Sequence, residues 1–452
     1  MDIRPRRVVM LALAFLLVAC AAQVATPRPS DTPTASAQPT ASPRATNLSS
    51  DVLHIRSLRN SAASEIVVID ARTGDKLRAL PDAVMSVDRS SIYWTERVNG
   101  AAQTKVHVSE AATGRELRAV TVEGNLLPAT FESGRGAITA DSKHLVLTNS
   151  PYQVAEGWVT KIVLVDTSSG TVESAAELKG ASTYALVAIA PDGRSIFLNQ
   201  YGEGATSLRV FDVATASLLP AGTLGNAPMR SQNGFRSSGV VSRDGQWLFA
   251  LDSGDLLAYG ATDTPFVLAV DLAGKRTQRI ALPIEQKSWD FEKYLLWSLV
   301  LTADGNTAYA VNPALGVVDE IDLQKMSVRR TAPITVSRAE GGALTTIGNL
   351  LFPVAEAKRY VTAGALLSPD ERTIYAVAFK GLSVIDRETL TSRVWASERE
   401  FDNLAVSPDG ARLYATDNQA SKIAILDARN GASLGTLATP SYAQAILRVD
   451  PR

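Results

Sequence analysis

One repeated element constrains the fold of this 452-residue chain more than any other feature. A short apolar strand ends in an acidic residue, and a tight turn follows, as at residues 66–70 with Gly74 and residues 423–427 with Gly431. Acidic side chains at such positions are typical turn-capping groups. Seven steps separate the first of these acids from the last, and they average 51 residues. The acids are Asp70, Glu110, Asp166, Asp212, Asp271, Asp322, Asp386 and Asp427.

A second element alternates with the first, and it consists of an aspartate-centred turn between two apolar strands. In four copies glycine follows the aspartate, which supplies the positive φ of a tight hairpin. Two hairpins per unit give four strands, A to D, and four short strands at this interval predict a propeller blade. The turn aspartates are Asp88, Asp141, Asp192, Asp244, Asp304, Asp370 and Asp409.

The two ends of the repeat predict a closed ring. The first unit holds only strands B, C and D, whereas residues 445–450 form a lone strand at the end. That strand is expected to complete the first blade and to remove the exposed sheet edges. We therefore predict an all-β fold, a single β-propeller domain over residues 51–452 with about eight four-stranded blades. Seven blades are the alternative if one weak unit is irregular.

The pattern over residues 52–450 resembles the YVTN-type and WD-repeat-like propellers of bacterial surface proteins and lactonases. This resemblance implies the propeller fold, and it leaves a lactonase-like hydrolytic enzyme open as an alternative function. Eight blades also invite comparison with quinone-cofactor dehydrogenases, which carry a tryptophan four residues after a Thr-Gly pair. Here Arg78 and Arg118 stand at that position, so no cofactor is predicted.

The first residues have the pattern of an export signal. Three arginines precede an apolar run over residues 8–19, which is too short to span a bilayer as a helix. Residues 17–20 resemble a bacterial lipobox, in which Cys20 would receive the lipid. We predict a lipoprotein signal peptide over residues 1–19 and an extracytoplasmic protein of the cell envelope, lipid-anchored to the membrane. Residues 20–50 are rich in Ala, Thr, Ser and Pro, which predicts a disordered tether.

Composition excludes several classes of site. Cys20 is the sole cysteine, so a disulfide framework and a cysteine zinc site are excluded. The formal net charge is -1 and no segment concentrates Lys and Arg, which argues against a nucleic-acid partner. The propeller is expected to be monomeric.

Side chains for catalysis or for metal binding do not form recognisable motifs. His54, His107 and His144 all fall in or beside predicted strands, so we interpret them as structural and predict no catalytic residue. Asp252, Asp255 and Asp263 lack the dense spacing of a calcium loop, so no metal is predicted.

The long connections all fall on the face that carries the B–C and D–A loops. They span residues 149–161, 225–238, 252–266, 283–297 and 333–364. Long loops on a rigid scaffold are the usual location of binding function, and aromatic residues with arginine dominate interface energies. We therefore favour a binding or scaffold module for a protein or glycan partner over an enzyme; the alternative is that these rings only cover the blade ends. The candidate residues are Trp158, Arg230, Phe235, Arg236, Trp289, Phe291, Tyr294, Phe352, Arg359 and Tyr360.

Overall fold

The computed structural model describes residues 51–59, 63–81, 83–98, 102–128, 137–202, 207–225, 234–255, 264–284, 296–336, 364–439 and 442–451. Within these ranges the chain forms 33 strands in eight antiparallel sheets. The protein is an eight-bladed β-propeller, which confirms the predicted fold and decides against seven blades. The signal peptide, Cys20 and the tether lie outside the described residues.

The first four blades follow one another along the chain. Blade 1 contains β1 (Val52–Arg59), β2 (Ala63–Asp70), β3 (Lys76–Pro81) and, from the far end, β33 (Tyr442–Asp450). Blade 2 contains β4 (Ala83–Met85), β5 (Ser91–Arg97), β6 (Gln103–Glu110) and β7 (Glu116–Glu123). Blade 3 contains β8 (Leu127–Pro128), β9 (His144–Thr148), β10 (Tyr152–Val154), β11 (Gly157–Asp166) and β12 (Val172–Gly180). Blade 4 contains β13 (Thr183–Ile189), β14 (Ser195–Tyr201), β15 (Ser207–Asp212) and β16 (Ser217–Leu218).

The remaining blades repeat the four-strand pattern. Blade 5 contains β17 (Gly234–Val241), β18 (Trp247–Asp255), β19 (Phe266–Asp271) and β20 (Arg276–Ala281). Blade 6 contains β21 (Ser298–Leu301), β22 (Thr307–Asn312), β23 (Val317–Asp322) and β24 (Ser327–Pro333). Blade 7 contains β25 (Ala365–Leu367), β26 (Thr373–Val377), β27 (Leu382–Asp386) and β28 (Ser392–Trp395). Blade 8 contains β29 (Asn403–Val406), β30 (Arg412–Asp417), β31 (Lys422–Asp427) and β32 (Ser433–Ala438).

The ring closes within blade 1, as predicted from the lone terminal strand. Strand β33 is the innermost strand of that sheet and pairs antiparallel with β1, from Val52 opposite Asp450 to Leu58 opposite Tyr442. Further bonds tie β33 to blade 8, where the Asn403 side chain accepts from the Ile446 backbone N–H at 2.9 Å. Strand β1 is therefore paired on both sides, with β2 and with β33.

The aspartate-centred A–B turns share one local geometry. In blade 6 the Thr302 hydroxyl donates to Asp304 at 2.6 Å and accepts from the backbone N–H of Thr307 at 3.1 Å. The Thr302 hydrogen bond is the main reason that the pKa of Asp304 falls to about 2. The residue after each turn aspartate has a φ between 56° and 73°, which glycine adopts without strain. Those residues are Arg89, Ser142, Gly193, Gly245, Gly305, Glu371 and Gly410.

The hydrophobic core lies between neighbouring blades. At the closure, Leu53 and Ile55 of blade 1 pack with Ile423 and Ile425 of blade 8, and all four are buried. Buried clusters of the same kind join every other pair of consecutive blades in the described part of the chain. Each such aliphatic side chain contributes about 1.5–3 kcal/mol on burial, so the blade faces, more than the loops, stabilise the ring.

Arginines on several D strands reach across to the next blade. Arg118 donates to the carbonyl of Thr167 at 2.7 Å, and Arg330 donates to the carbonyls of Arg387 and Glu388 at 3.0 and 2.7 Å. Arg78 donates to the carbonyl of Ala111. These arginines satisfy turn carbonyls of the following blade. No helix in the described part of the chain has the length and apolar character that crossing a membrane requires.

Candidate functional site

A cleft lies between blades 2 and 3. Its volume is about 710 Å³, and it opens on the face of the B–C and D–A loops. This is the face on which the sequence predicts a binding site. Twelve residues line the cleft: Arg97, Ala102, Gln103, Glu123, Gly124, Asn125, Leu127, Asn149, Ser150, Tyr152, Lys161 and Glu177.

An extra hairpin in blade 3 forms one wall of the cleft. The sequence predicts a long B–C loop over residues 149–161, whereas the structure places strands β10 and β11 there, with Val154 opposite Gly157 at the tip. The prediction of a plain loop is therefore wrong at this point. Tyr152 lies on β10 with 50% of its surface exposed, and Leu127 is 47% exposed, so both present apolar surface to solvent in the cleft.

A buried hydroxyl holds the opposite wall in place. Thr104 is fully buried, accepts from the backbone N–H of Leu126 at 2.8 Å and donates to the carbonyl of Gly124 at 2.5 Å. The backbone N–H of Gly124 donates in turn to the carbonyl of Ala102 at 2.6 Å. These bonds fix the D–A connection after β7, which carries Glu123 and Asn125. A wall supported in this way is preorganised for binding.

Lys161 joins the two walls. Its backbone N–H donates to the Asn149 side chain at 2.5 Å, which fixes the strand ends of blade 3. Its side chain crosses to blade 2, where a Cβ added to Gly124 would lie 3.2 Å from Nζ. Gly124 has a φ of 105°, a conformation that side chains on L-residues rarely adopt. Glycine is therefore required here for its backbone angle, and an added Cβ would displace the Lys161 side chain by a few tenths of an ångström.

The charges of the cleft do not all pair with one another. Glu177 is bound by Lys179, which lies outside the cleft, at 3.2 Å. Within the described ranges, Arg97, Lys161 and Glu123 have no ion-pair partner. The cleft therefore offers two cations, one carboxylate, the amides of Gln103 and Asn125, and the Tyr152 phenol to a ligand.

Most of the residues predicted for the binding face lie outside the described residues: Arg230, Trp289, Phe291, Tyr294, Phe352, Arg359 and Tyr360. Trp158 lies within strand β11, opposite Gln153 and Gly180, and is half-buried; it does not line the cleft. Phe235 and Arg236 belong to strand β17, which begins at Gly234, so their placement in a loop was wrong. Strand β18 likewise extends to Asp255, which places Asp252 and Asp255 in a strand instead of a loop.

The three histidines lie on strands and bind carboxylates. His54 Nε2 lies 3.1 Å from Asp450 Oδ2, across the sheet that closes the ring. His107 stacks on Trp94 with ring centroids 3.8 Å apart, and its Nδ1 lies 2.5 Å from Glu116. All of these contacts hold neighbouring strands together, which agrees with the structural interpretation of the histidines.

His144, Asp166 and Glu173 form the cluster that comes nearest to a metal site in the described residues. Their ligand atoms lie within 4.8 Å of one another, and His144 Nε2 is 3.3 Å from Glu173. A metal on Nε2 would place the proton on Nδ1, which is buried and has no hydrogen-bond partner among the described atoms. Asp166 already caps its turn by accepting from Ser168 and Ser169. We interpret the cluster as a histidine–carboxylate contact beside a turn cap.

Acids and an arginine also meet at the loops of blade 8, the arrangement that a hydrolytic site would favour. Arg399 lies 3.7 Å from Asp417, and Asp402 accepts from the backbone N–H of Asn418 at 3.1 Å. Asp417 accepts from the backbone N–H of Ala420 at 2.9 Å. Both carboxylates therefore hold loop backbone in place through hydrogen bonds. These bonds account for the position of the acids without a bound substrate.

Comparisons with known proteins identify no family for this chain. No protein-family model matches the sequence, and no curated protein matches it. Among solved structures, dihydro-heme d1 dehydrogenase NirN in complex with DHE is 14% identical, with 88% of this chain and 75% of that chain covered and a TM-score of 0.48. A putative 6-phosphogluconolactonase from Bacteroides fragilis is 15% identical, covering 81% and 99%, with a TM-score of 0.40. The periplasmic gluconolactonase PpgL of Pseudomonas aeruginosa is 17% identical, covering 80% and 98%, with a TM-score of 0.39.

Proposed function

We propose that this protein is a glycan-binding module of the cell envelope and that its ligand occupies the cleft between blades 2 and 3. One observation carries the proposal: a cavity of about 710 Å³ combines an exposed tyrosine with side-chain amides and charges that have no partner among the described residues. Ligand sites are typically concave, have volumes of roughly 300–1,000 Å³ and contain a few convergent polar groups.

The shape and lining favour a glycan over a protein partner. Sugars present apolar C–H faces and many hydroxyls, which match an aromatic ring and a set of amides and charges. Tyr152 supplies the ring, while Gln103 and Asn125 supply donors and acceptors. A specific protein interface would typically bury about 800 Å² per partner on a broad surface, whereas this site is a confined cleft.

The location in the envelope rests on the sequence. Cys20 follows an arginine-rich start and a short apolar run, and residues 21–50 provide the spacer that a lipid-anchored domain needs. A spacer of that length would hold the propeller roughly 30 Å from the membrane, by the flexible-chain estimate. In this arrangement the cleft would be accessible to glycans outside the cytoplasm.

A glycan panel tests the proposal directly. The purified protein would be screened against neutral, amino and acidic oligosaccharides, and hits would be measured by calorimetry. Tyr152→Ala should weaken binding of a hit by tenfold or more, because the stacking surface is lost, a cost of about 1.4 kcal/mol. Tyr201→Ala is the matched control, since Tyr201 is also exposed, at 39%, but does not line the cleft. A panel without hits, or equal losses in both variants, would refute the proposal.

A further inference from the structure

We infer that the cleft selects an acidic sugar, whose carboxylate binds between Arg97 and Lys161. This inference rests on the proposed function, because it names the class of glycan that the same site takes. It depends on the pairing of charges around the cleft, which leaves two cations available on opposite walls.

Arg97 supplies the first cation from blade 2. It is the last residue of β5, opposite Thr104 of β6, and its side chain is exposed in the cleft. No carboxylate in the described part of the chain pairs with it. A guanidinium presents a planar fork of N–H donors that matches the two oxygens of a carboxylate.

Lys161 supplies the second cation from blade 3. Its cross-strand neighbour on β12 is Glu177, the residue with which a lysine at this position would ordinarily pair. Glu177 pairs instead with Lys179, and the Lys161 ammonium group lies beside Gly124 of blade 2. The half-buried Lys161 side chain therefore carries its charge into the cleft without a carboxylate partner in the described ranges.

The remaining groups favour one negative charge on the ligand over several. Glu123 is the last residue of β7, lines the same cleft and has no cationic partner among the described residues. Glu177 also lines the cleft and is balanced by Lys179, so Arg97, Lys161 and Glu123 leave a net charge of one, which a single carboxylate on the ligand balances. A dianionic phosphate would place extra negative charge near Glu123, which is unfavourable at close range. Glu123 can instead accept a sugar hydroxyl.

A matched pair of ligands tests the inference on the whole protein. The acid probe is a trisaccharide that contains a single galacturonic acid, and its partner is the same trimer with that carboxylate reduced to a hydroxymethyl group. We expect the acid to bind at least about tenfold more tightly, since a charged hydrogen bond contributes more than a neutral one. Arg97→Gln and Lys161→Gln should each remove most of that preference.

Two variants of equal charge change serve as controls. Arg115→Gln alters an exposed arginine that pairs with Glu110 near the C–D turn of blade 2, and Lys143→Gln alters an exposed lysine that pairs with Asp141 in the A–B turn of blade 3; neither residue lines the cleft. Both should bind the acid trimer as the parent does. Equal affinity for the two trimers, no binding of the acid, or the same loss in all four variants would overturn the inference. Binding of the reduced trimer with sensitivity to Tyr152→Ala would still leave the proposed function standing.

Discussion

The hydroxyl of Tyr414 donates a hydrogen bond to the carboxylate of Asp51 at 2.6 Å, although the two residues lie 363 positions apart. Asp51 is 3% exposed and Tyr414 is 1% exposed, so the bond is buried at the junction of blade 8 with blade 1. Arg412 donates to the same carboxylate at 3.0 Å. This group of three polar side chains reinforces the ring at the place where its two ends meet.

Tyr414→Phe should therefore destabilise the propeller by about 1.5–3 kcal/mol, the contribution of a hydrogen bond to a charged group. Tyr93→Phe is the matched control, because Tyr93 holds the same strand position in blade 2 and its hydroxyl makes a weak contact at 3.5 Å to a backbone carbonyl. Urea unfolding would measure the free energy of unfolding of both variants. The values are compared where m, the dependence of that free energy on urea concentration, is unchanged. Equal destabilisation would show that the bond to Asp51 has no special role at the closure.

Asp319 should make stability depend on pH between about 4 and 6. Its side chain is fully buried, and burial raises the pKa of the carboxyl to about 6 despite a 2.5 Å bond from Thr331. The folded state holds this proton more tightly than the unfolded state. The protonated carboxyl therefore contributes to the stability of the folded state at low pH, and that contribution is lost as pH rises through 6.

Asp319→Asn removes that titration. Measured by urea unfolding, the stability of the variant relative to the parent should rise by about 2–3 kcal/mol between pH 4 and pH 8. Any change in stability that the amide causes at every pH cancels, because only the change in stability between the two pH values is compared. Parallel pH profiles for the two proteins would contradict the prediction.

A comparison of Arg330 with Arg329 separates the contribution of hydrogen bonds between blades from the contribution of ion pairs within a blade. Both arginines bind Glu320. Arg329 also binds Asp322 of its own blade at 3.1 Å, whereas Arg330 donates to blade 7, at the carbonyls of Arg387 and Glu388. Arg330→Met should cost about 1 kcal/mol more than Arg329→Met in thermal or urea unfolding, because it leaves two carbonyl bonds unmade. Equal costs would mean that the cross-blade bonds contribute no more than the ion pair of Arg329 with Asp322.

Gly124→Ala tests the geometry of the cleft apart from its charges. The new Cβ would meet the Lys161 side chain and would require an unfavourable φ of 105°. Gly222→Ala is the control for strain, since its φ is 92° and no atom lies within 4 Å. Both variants should lose about 1–3 kcal/mol of stability, but only Gly124→Ala should also weaken glycan binding. Binding that is equal in both would show that Lys161 does not need its place beside Gly124.

Cys20→Ser tests the predicted anchor. The parent protein should incorporate a labelled fatty acid and sediment with membranes, whereas the variant should do neither, because a serine hydroxyl does not take the thioether-linked lipid. Ala21→Ser is a control that leaves the cysteine in place. A parent protein without label would rule out the lipoprotein prediction.

The blade count was readable from the sequence because each blade repeats the same turn chemistry. Asp70 and Asp427 mark the first and last C strands, and the seven steps between them average 51 residues. The cleft was harder to predict from the sequence, because Lys161 and Gly124 belong to different blades and only the packing of those blades brings them together. The sequence indicated part of the cleft, because the predicted long loop over residues 149–161 contains Tyr152. Trp158 and Phe235 were misplaced because strands β11 and β17 begin earlier than the apolar pattern indicates.

The pairing of β33 with β1 also determines when, during synthesis, the ring of blades can close. Strand β1 leaves the ribosome before any other described strand, and β33 leaves after all of them. Throughout synthesis the first blade therefore has an uncovered edge, and only residues 442–450 can cover it. A truncated chain that lacks those residues would retain that edge and would be open to pairing with other chains. The closure thus distinguishes chains that contain residues 442–450 from chains that terminate before them.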